Sequence, residues 1–446
     1  MNEFPDSQLA TLAKEGIVYS GAKAANPSDS YPGTAAFVAG CSPRTHGLYW
    51  DDSYSRDLYP PGSDCTGPIG TEVDLSEGID IDASLLTGGG GFNISLLTQR
   101  LTSWGTCVPV FPFNYIRTNT IFEVARQNGL STAYADKHLS YSFVDGPSGL
   151  GLVEGYFPEV SSAAATDTAQ NAWDDLHWAA LNNWLSGKYV NGSSTPFGSF
   201  NLVGANFQAL TNAQTYVSYV SSNSTTTRSY ATPSANITAV LGHFDSKLAE
   251  FVSTLKAQGI WNETLLVIGS KQGQTPVDKS KLQFIDPQAL INATGVTVNF
   301  VTSADWALMY LNDSTDAYTA KANLLASNKA ETAVAEVLAG DEIRQYGWGD
   351  PFTDPRAPDL LVKGVYGTLF KKPKGFEDHG GWYADDSDVL LMATSGCALA
   401  NAGKQYGGRV DNQQVAVTLL EALGIPLAQL DGYRIEGTPS LPHIFT

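Results

Sequence analysis

Apolar and polar positions along the chain follow two alternating patterns, one with the period of a helix and one with the length of a short buried strand. The patterns predict helices that end at a glycine and are followed at once by an apolar strand. Three such strands are predicted at residues 17–19, 131–135 and 264–268, after helices that end at Gly16, Gly129 and Gly259. Strands that alternate with helices are typical of an α/β protein with a doubly wound, largely parallel central sheet flanked by helices.

Two segments interrupt this alternation. Residues 51–112 are rich in Gly and Pro and include "YPPGSDCTGPIG", so we expect a loop-rich surface insertion there. Residues 280–370 combine the apolar runs "TVNFVTS" and "WALMYL" with an Ala-rich helix predicted at 329–338, which indicates an inserted α+β lobe. A short Ala-rich helix from about Pro32 and a closing strand and helix, "DVLLMATSG" and "DNQQVAVTLLEALGI", complete what we interpret as a single large α/β domain.

The composition is that of a globular protein with an acidic surface. The 446 residues are 43% hydrophobic and 16% charged, and 26 Lys and Arg against 45 Asp and Glu give a net charge of −19. Nucleic-acid binding requires clustered Lys and Arg, and the chain has no basic run. No stretch approaches the roughly 20 apolar residues of a membrane span. These features exclude a nucleic-acid polymer and a membrane span, and they leave the oligomeric state open.

The four cysteines form no CxxC pair, so the sequence encodes neither a zinc ribbon nor a thioredoxin-like site. Cys65 and Cys107 both lie in irregular Gly/Pro-rich segments, where a cross-link would restrain loops, and we predict a disulfide between them. Cys41 and Cys397 are predicted to be buried thiols.

The seven N-x-S/T sequons predict N-glycans and, together with the disulfide and the Lys-poor surface, a secreted protein. They start at Asn93, Asn191, Asn223, Asn236, Asn262, Asn292 and Asn312. Residues 1–5 have neither the basic nor the apolar region of a signal peptide. We therefore expect that processing removed it or that the sequence starts inside the natural protein.

Four polar clusters are candidates for chemistry, because sites in open parallel sheets form at the carboxyl ends of strands. They are Ser28-Asp29-Ser30, Asp136-Lys137-His138, Lys271-Gln272 and Glu377-Asp378-His379. The sequence contains no GxSxG, GxxxxGK[ST] or HExxH motif and no GxGxxG that opens a helix after a strand. An α/β-hydrolase nucleophile, a nucleotide-binding Gly-rich loop and a helical zinc motif are therefore not predicted.

Each cluster permits a structural and a functional interpretation. Ser30 stands at the start of the Ala-rich helix, where a serine is commonly an N-cap, but where a nucleophile or a phosphate is also favoured by the positive helix end. Lys271 is either a solvated loop lysine or a compact cation aimed at an anionic ligand. His379, between two acids and two glycines, is either structural or catalytic, and Asp136-Lys137-His138 is equally open.

Taken together, these clusters resemble the alkaline phosphatase superfamily and, within it, the type I phosphodiesterase/nucleotide pyrophosphatase branch. The matching stretches, in chain order, are "NPSDSYPGTAAFVAGCSPRTHGLYWDDSY", "TLLVIGSKQGQ", "EDHGGW" and "VAVTLLEALGIP". The resemblance implies that Ser30 is the nucleophile and that two divalent zinc ions flank it during in-line phosphoryl transfer. The family's first strand, which ends in a metal-binding Asp, would come before Met1.

The sequence departs from the family at most metal-ligand positions. Lys271 and Gln272 stand where the family has the Asp and His of a DHG motif, and Leu210 and Gln214 stand where it has an Asp-x-x-x-His pair. Of these ligands only the late His survives, as His379. A protonated lysine cannot ligate zinc, and Leu and Gln are impossible or poor substitutes. We therefore expect a degenerate metal site and assign no cofactor.

Two functional hypotheses follow. In the first, the protein is a secreted, phosphodiesterase-like hydrolase of phosphoric or sulfuric esters: Ser30 attacks, Lys271 replaces one metal, and His379 or His138 acts as base or acid. The Asp136-Lys137-His138 segment would then help to bind the tetrahedral anion, since related sulfatases place a Lys and a His after the equivalent strand. In the second, the chain is a catalytically inactive anion-binding or structural protein on a phosphatase scaffold.

Overall fold

The helix-then-strand units predicted from the sequence all form. The computed structural model describes residues 4–163, 166–217, 233–276, 281–375, 377–381, 383–397, 399 and 401–445. The helices in these ranges are α1 Gln8–Glu15, α2 Ser30–Ala39, α3 Pro43–His46, α4 Pro112–Tyr115, α5 Ile121–Gln127, α6 Asp167–Leu185, α7 Ala209–Val217, α8 Ala235–Ala257, α9 Pro287–Thr294, α10 Ala317–Ala326, α11 Lys329–Thr332, α12 Ala384–Ser387, α13 Gln414–Ala422 and α14 Asp431–Glu436. The strands are β1 Ile17–Lys23, β2 Asp52–Ser55, β3 Thr71–Asp74, β4 Gln99–Leu101, β5 Cys107–Pro109, β6 Thr132–Ala135, β7 Glu154–Tyr156, β8 Leu202–Ala205, β9 Leu265–Gly269, β10 Thr275–Pro276, β11 Gln283–Phe284, β12 Val298–Ser303, β13 Trp306–Leu311, β14 Val334–Ala339, β15 Leu360–Gly364, β16 Thr368–Leu369, β17 Glu377–Asp378, β18 Leu391–Ser395 and β19 Lys404–Asp411.

Two sheets lie between layers of helices, which confirms the predicted α/β class. One sheet has the order β19-β1-β18-β9, in which β1 pairs parallel with β19 and β18 runs antiparallel to both of its neighbours. The other is fully parallel, with β6 between β7 and β8. Residues of α2, α5 and α13 form one apolar core, and residues of α1, α6 and α8 form another. Strand β6 contributes Tyr134 to the first core and Ala133 and Ala135 to the second, because successive side chains of a strand point to opposite faces.

The segment at 51–112 contains the antiparallel pairs β2–β3 and β4–β5. The disulfide predicted between Cys65 and Cys107 is present, and Cys41 is a buried thiol as predicted. The prediction for Cys397 is wrong: it follows the end of β18 at the surface, and its Sγ lies 2.6 Å from the carbonyl oxygen of Asn262.

The segment at 280–370 contains an antiparallel sheet with the order β12-β13-β15-β14 and an apolar core shared with α9 and α10. The predicted helix at 329–338 is wrong. Helix α11 stops at Thr332, Ala333 takes a left-handed conformation with φ of 50°, and β14 follows. The apolar side chains Val334 and Val337 are buried against this core, and pairing with β15 outweighs the helix preference of the alanines.

In the part of the chain that the structure describes, no helix is both long and apolar enough to cross a membrane. The sequon at Asn223 lies outside the described residues.

Candidate active site

Ser30 is the first residue of α2 and is not its N-cap. The cap is Asp29, whose side chain accepts a hydrogen bond of 3.2 Å from the backbone N–H of Tyr31. The hydroxyl of Ser30 is therefore not used to cap the helix, and it donates a 2.6 Å hydrogen bond to Oε1 of Gln272. This places a buried hydroxyl at the positive end of a helix and beside the loop that follows β9.

Close backbone approach brings α2 and this loop together. A Cβ on Gly33 would lie 2.2 Å from the carbonyl oxygen of Lys271, so only glycine permits the contact. The Ser28 hydroxyl donates to the carbonyl of Asp386 at 2.6 Å and accepts from the N–H of Gly273 at 2.9 Å. These bonds hold the segments before α2, after β9 and in α12 against each other.

Tyr141, in the short 3-10 helix Leu139–Asp145, lies at the centre of the cluster. The ammonium of Lys271 donates to its hydroxyl at 3.4 Å and lies 4.8 Å from its ring centroid, and the ammonium of Lys137 lies 6.0 Å from the same centroid. Burial raises the pKa of Tyr141, although a hydrogen bond with Ser30 opposes this rise. The structure thus brings Ser30, Lys137 and Lys271 together around a tyrosine that the sequence analysis missed.

The electrostatics of Lys271 follow from its burial. Loss of solvent lowers the pKa of its ammonium to about 8, against the opposing influence of the Asp136 and Asp29 carboxylates. A lysine whose pKa is lowered to this extent is protonated at neutral pH but loses its proton at a pH only slightly higher. The side chain of Lys271 is therefore a cation at neutral pH and loses its charge at mildly alkaline pH.

Asp136 and His138 bind groups of the protein itself. Asp136 is fully buried, and its carboxylate accepts hydrogen bonds from the hydroxyl of Tyr134 at 2.8 Å and the side-chain amide of Asn206 at 2.9 Å. Nδ1 of His138 lies 2.8 Å from both carboxylate oxygens of Glu159. Burial, with a smaller effect of the neighbouring lysine, lowers the pKa of His138 to about 3, so its imidazole is neutral at pH 7.

His379 lies beside the N-cap of α2. Its Nδ1 is 3.3 Å from Oδ2 of Asp29, and the next N–H, that of Gly380, donates to the carbonyl of Ser28 at 2.8 Å. Gly380 has a left-handed φ of 98°, and a Cβ there would lie 1.9 Å from the indole of Trp50. The glycine that follows the histidine is thus required both by backbone conformation and by close packing.

Asp51 is a second residue that the sequence analysis missed. Burial and, to a smaller extent, the Asp29 carboxylate raise its pKa to about 7, and the Lys137 ammonium opposes both. Both missed residues lie close to stretches that carry the family resemblance or a candidate cluster. Asp51 is in "GLYWDDSY", at the end of the first matching stretch, and Tyr141 follows "ADKH" by three residues.

The other family metal positions lie on α7. Leu210 is apolar and packs against Ile237 and Val240 of α8. Gln214 lies one turn further along the helix, and the neighbouring Thr215 accepts a 3.0 Å hydrogen bond from Gln274, which places α7 beside the loop after Lys271. Among the residues with described positions, no group of three or more His, Cys, Asp or Glu side chains is arranged to hold a metal ion.

The chain matches known proteins in family and in fold. The model of the type I phosphodiesterase / nucleotide pyrophosphatase family matches residues 5–380. No curated protein matches the chain significantly. Murine ectonucleotide pyrophosphatase / phosphodiesterase 5 aligns with a TM-score of 0.59 at 14% identity, over 98% of this chain and 91% of that one. An inactive variant of that protein in complex with AMP aligns with a TM-score of 0.56 at 14% identity, over the same shares of the two chains.

A second group of solved structures shares the fold. Wild-type alkaline phosphatase PafA aligns with a TM-score of 0.59 at 12% identity, over 95% of this chain and 92% of that one. The fold likeness and the family match over most of the chain confirm the relationship that the motifs indicate. The chain belongs to the type I phosphodiesterase / nucleotide pyrophosphatase family.

Proposed function

We propose that the protein hydrolyses small phosphoric esters, with Ser30 as the nucleophile and lysine cations where the family has metal ions. The observation that carries this proposal is the position of the Ser30 hydroxyl, at the N-terminus of α2 and next to Tyr141 and the Lys271 ammonium. A helix N-terminus and two lysines supply positive charge to the oxygens of a tetrahedral anion. The family assignment supports phosphoryl transfer as the chemistry.

The metal pair of the family does not fit this donor set. Lys271 presents an ammonium, Gln272 an amide engaged with Ser30, and Leu210 a hydrocarbon packed in a core. None of these groups is a normal ligand for zinc, which prefers thiolate, imidazole and carboxylate. The proposal therefore includes a degenerate metal site and uses no metal in any step.

In the proposed reaction the Ser30 oxygen attacks phosphorus while the bond to the leaving alcohol breaks. Lys271 and Lys137 bind the oxygens that do not react. His379, whose Nδ1 lies 3.3 Å from Oδ2 of Asp29, takes the Ser30 proton at Nε2 and delivers it to the leaving oxygen. Water then attacks the phosphorus of the seryl ester, the bond from the Ser30 oxygen to phosphorus breaks, the Ser30 oxygen takes a proton from the water, and the phosphate product leaves. We assign the acid–base role to His379 rather than His138, because burial lowers the pKa of His138 to about 3 and makes it a weak base.

One observation favours the alternative, an anion-binding protein without turnover. The Ser30 hydroxyl donates to an amide oxygen of Gln272, and an amide oxygen accepts a hydrogen bond but does not remove a proton at neutral pH. In this case the cluster would still bind phosphate or sulfate through Lys271 and Lys137.

Hydrolysis of bis(p-nitrophenyl) phosphate separates the two candidates. We expect wild-type turnover, a loss of at least about 100-fold in Ser30→Ala, as for other activated nucleophiles, and no change in Ser253→Ala, a matched substitution on the exposed face of α8. Turnover by Ser30→Ala equal to wild type would refute the nucleophile. No wild-type turnover, with sulfate binding that is lost in Lys271→Met, would establish the binding protein instead. Zinc at about two ions per purified chain would overturn the degenerate site.

We also propose that the protein is a secreted glycoprotein. The Cys65–Cys107 disulfide supports an oxidising compartment. Among the sequon asparagines with described positions, five are exposed, as attachment requires: Asn191, Asn236, Asn262, Asn292 and Asn312. Expression through a secretory pathway, followed by glycan removal with an N-glycosidase, should lower the mass of the protein, and an unchanged mass would contradict the proposed glycosylation.

A further inference from the structure

A cavity of about 250 Å³ lies in the 51–112 region and its surroundings, apart from the cluster around Ser30. None of Ser30, Lys137, Lys271 and His379 lines it. Leu75 contacts both places: its N–H donates to the carbonyl of Asp51 at 2.8 Å, and it is one of the residues that line the cavity. The cavity is therefore a feature that the proposed ester chemistry does not explain.

The wall of the cavity combines apolar side chains with the polar residues Thr71, Glu72, Asp74 and Thr98, and it is preformed. Its buried apolar residues are Val73, Leu75, Ile79, Leu97, Val110 and Tyr115. Strand β3 is paired with β2, the β4–β5 ladder lies between Thr98 and Val110, and the Cys65–Cys107 disulfide ties the loop after Pro61 to this ladder. The wall thus consists of elements that are fixed before any ligand arrives, which reduces the entropy cost of binding.

The volume of the cavity is that of a small organic ligand. A cavity of roughly 150 Å³ is already large enough for benzene. A space of about 250 Å³ therefore suits a single ring or a short branched chain.

The polar groups of the cavity define the rest of the ligand. Tyr115 is 1% exposed, and its hydroxyl has no hydrogen-bond partner among the described residues. Glu72 and Asp74 also line the cavity, and its lining includes no lysine, arginine or histidine. A ligand with one hydrogen-bonding group would satisfy the orphaned hydroxyl, whereas an anion would meet the carboxylates of Glu72 and Asp74. The Arg356 guanidinium packs on the Tyr115 ring, 3.8 Å from its centroid, but it does not line the cavity.

We propose that this cavity is a binding site for a small, uncharged, mainly apolar molecule, one ring or a short branched chain in size, that carries a single hydroxyl-type group for Tyr115. Benzyl alcohol is a suitable probe, and benzoate is its anionic counterpart of nearly equal size. The site is independent of turnover at Ser30, so binding can be measured directly by calorimetry on the whole protein.

We expect benzyl alcohol to bind the wild type with benzoate at least about tenfold weaker, since an unpaired charge is costly to bury. Tyr115→Phe should weaken benzyl alcohol binding by about tenfold, the worth of one hydrogen bond. Val110→Phe should abolish binding by filling the space, while Val365→Phe, at an exposed valine, should leave it unchanged.

Three results would overturn the proposal: no binding of benzyl alcohol to the wild type, equal binding of benzyl alcohol and benzoate, or unchanged binding in a folded Val110→Phe. If Val110→Phe fails to fold, Val73→Ile provides the same test with one added methylene, and unchanged affinity in that variant would count against the site.

Discussion

Lys271 gives the candidate site a pH dependence at the scale of one residue. Its pKa is lowered to about 8, so its ammonium is lost as the pH rises through that value. Sulfate stays a dianion over this range. We expect its affinity for the wild type, measured by calorimetry, to fall by about tenfold or more between roughly pH 7 and pH 9.5, the worth of one charge-assisted hydrogen bond.

Two variants control this experiment. The arginine of Lys271→Arg stays charged between roughly pH 7 and pH 9.5, so this variant should bind sulfate about equally at the two pH values. Lys271→Met should bind sulfate weakly at both of them. A wild-type affinity that does not change with pH would show that Lys271 does not contact the anion.

The buried carboxyl groups of Asp305 and Asp386 make stability depend on pH. Burial raises the pKa of Asp386 to about 6, and burial with the neighbouring Asp386 raises the pKa of Asp305. The folded protein therefore holds protons that the unfolded chain releases near pH 4, and the free energy of unfolding decreases as the pH rises from about 4 to above 6. A rise of about two units in the pKa of Asp386 corresponds to a loss on the order of 3 kcal/mol in the free energy of unfolding.

Urea unfolding at about pH 4.5 and pH 7.5 measures this decrease. Asp386→Asn should reduce it strongly, while Asp385→Asn, at the exposed neighbour whose charge makes a smaller contribution to the pKa of Asp386, should reduce it much less. A decrease of the same size in Asp386→Asn and the wild type would assign the effect to other groups.

Single residues explain why part of the candidate site was predictable. Ser30, Lys271 and His379 stand in short motifs next to predicted elements, so their positions follow from local sequence. Tyr141 and Asp51 reach the cluster through the packing of the 3-10 helix and of the chain after α3, and no local pattern records that packing. Gln272 appeared only as a lost metal ligand, and its hydrogen bond to Ser30 depends on the close approach of two distant segments.

At the scale of elements, the contact between α2 and the loop after β9 can be tested by two glycine substitutions. Gly33→Ala would place a Cβ 2.2 Å from the carbonyl oxygen of Lys271 and should destabilise the fold by about 1–3 kcal/mol. Gly242→Ala lies in α8 with nothing within 4 Å and should stabilise the helix by up to about 1 kcal/mol.

Thermal unfolding and sulfate binding report on this pair of variants. Gly33→Ala should also weaken sulfate binding, because it separates Ser30 from Lys271, and Gly242→Ala should not. Equal stability changes of the same sign in both variants would mean that the close approach is not required.

Elements were predictable where local pattern and tertiary packing agree. The helices before β1, β6 and β9 have a helical apolar period and a glycine after their last turn, and all three form. The stretch at 329–338 has the alanines of a helix but lies beside the edge of β15 that is not paired with β13, and pairing with this edge decided its structure. The order of the strands could not be read from the sequence, since it depends on contacts between distant segments.

The net charge of −19 acts at the scale of the whole molecule. It repels anionic substrates over a distance of about 30 Å at 0.01 M salt but only about 8 Å at 0.15 M, whereas Lys271 acts at contact distance. We expect kcat/KM for bis(p-nitrophenyl) phosphate to rise severalfold over this range of salt. A phosphodiester with a quaternary ammonium group, which is neutral overall, should show little change, and a fall in kcat/KM for the anionic ester would show that local cations dominate its approach.

Nine of the ten residues of α2 are buried, so this helix has no face toward solvent. An element enclosed on all sides exchanges its amide hydrogens only when the core around it opens, and its amides should be among the slowest to exchange in the protein. The Ser30 hydroxyl therefore lies on one of the least mobile elements of the chain. Adaptation of such a site to new esters would proceed through the loops that carry Lys137, Lys271 and His379, because changes in α2 would disturb the core itself.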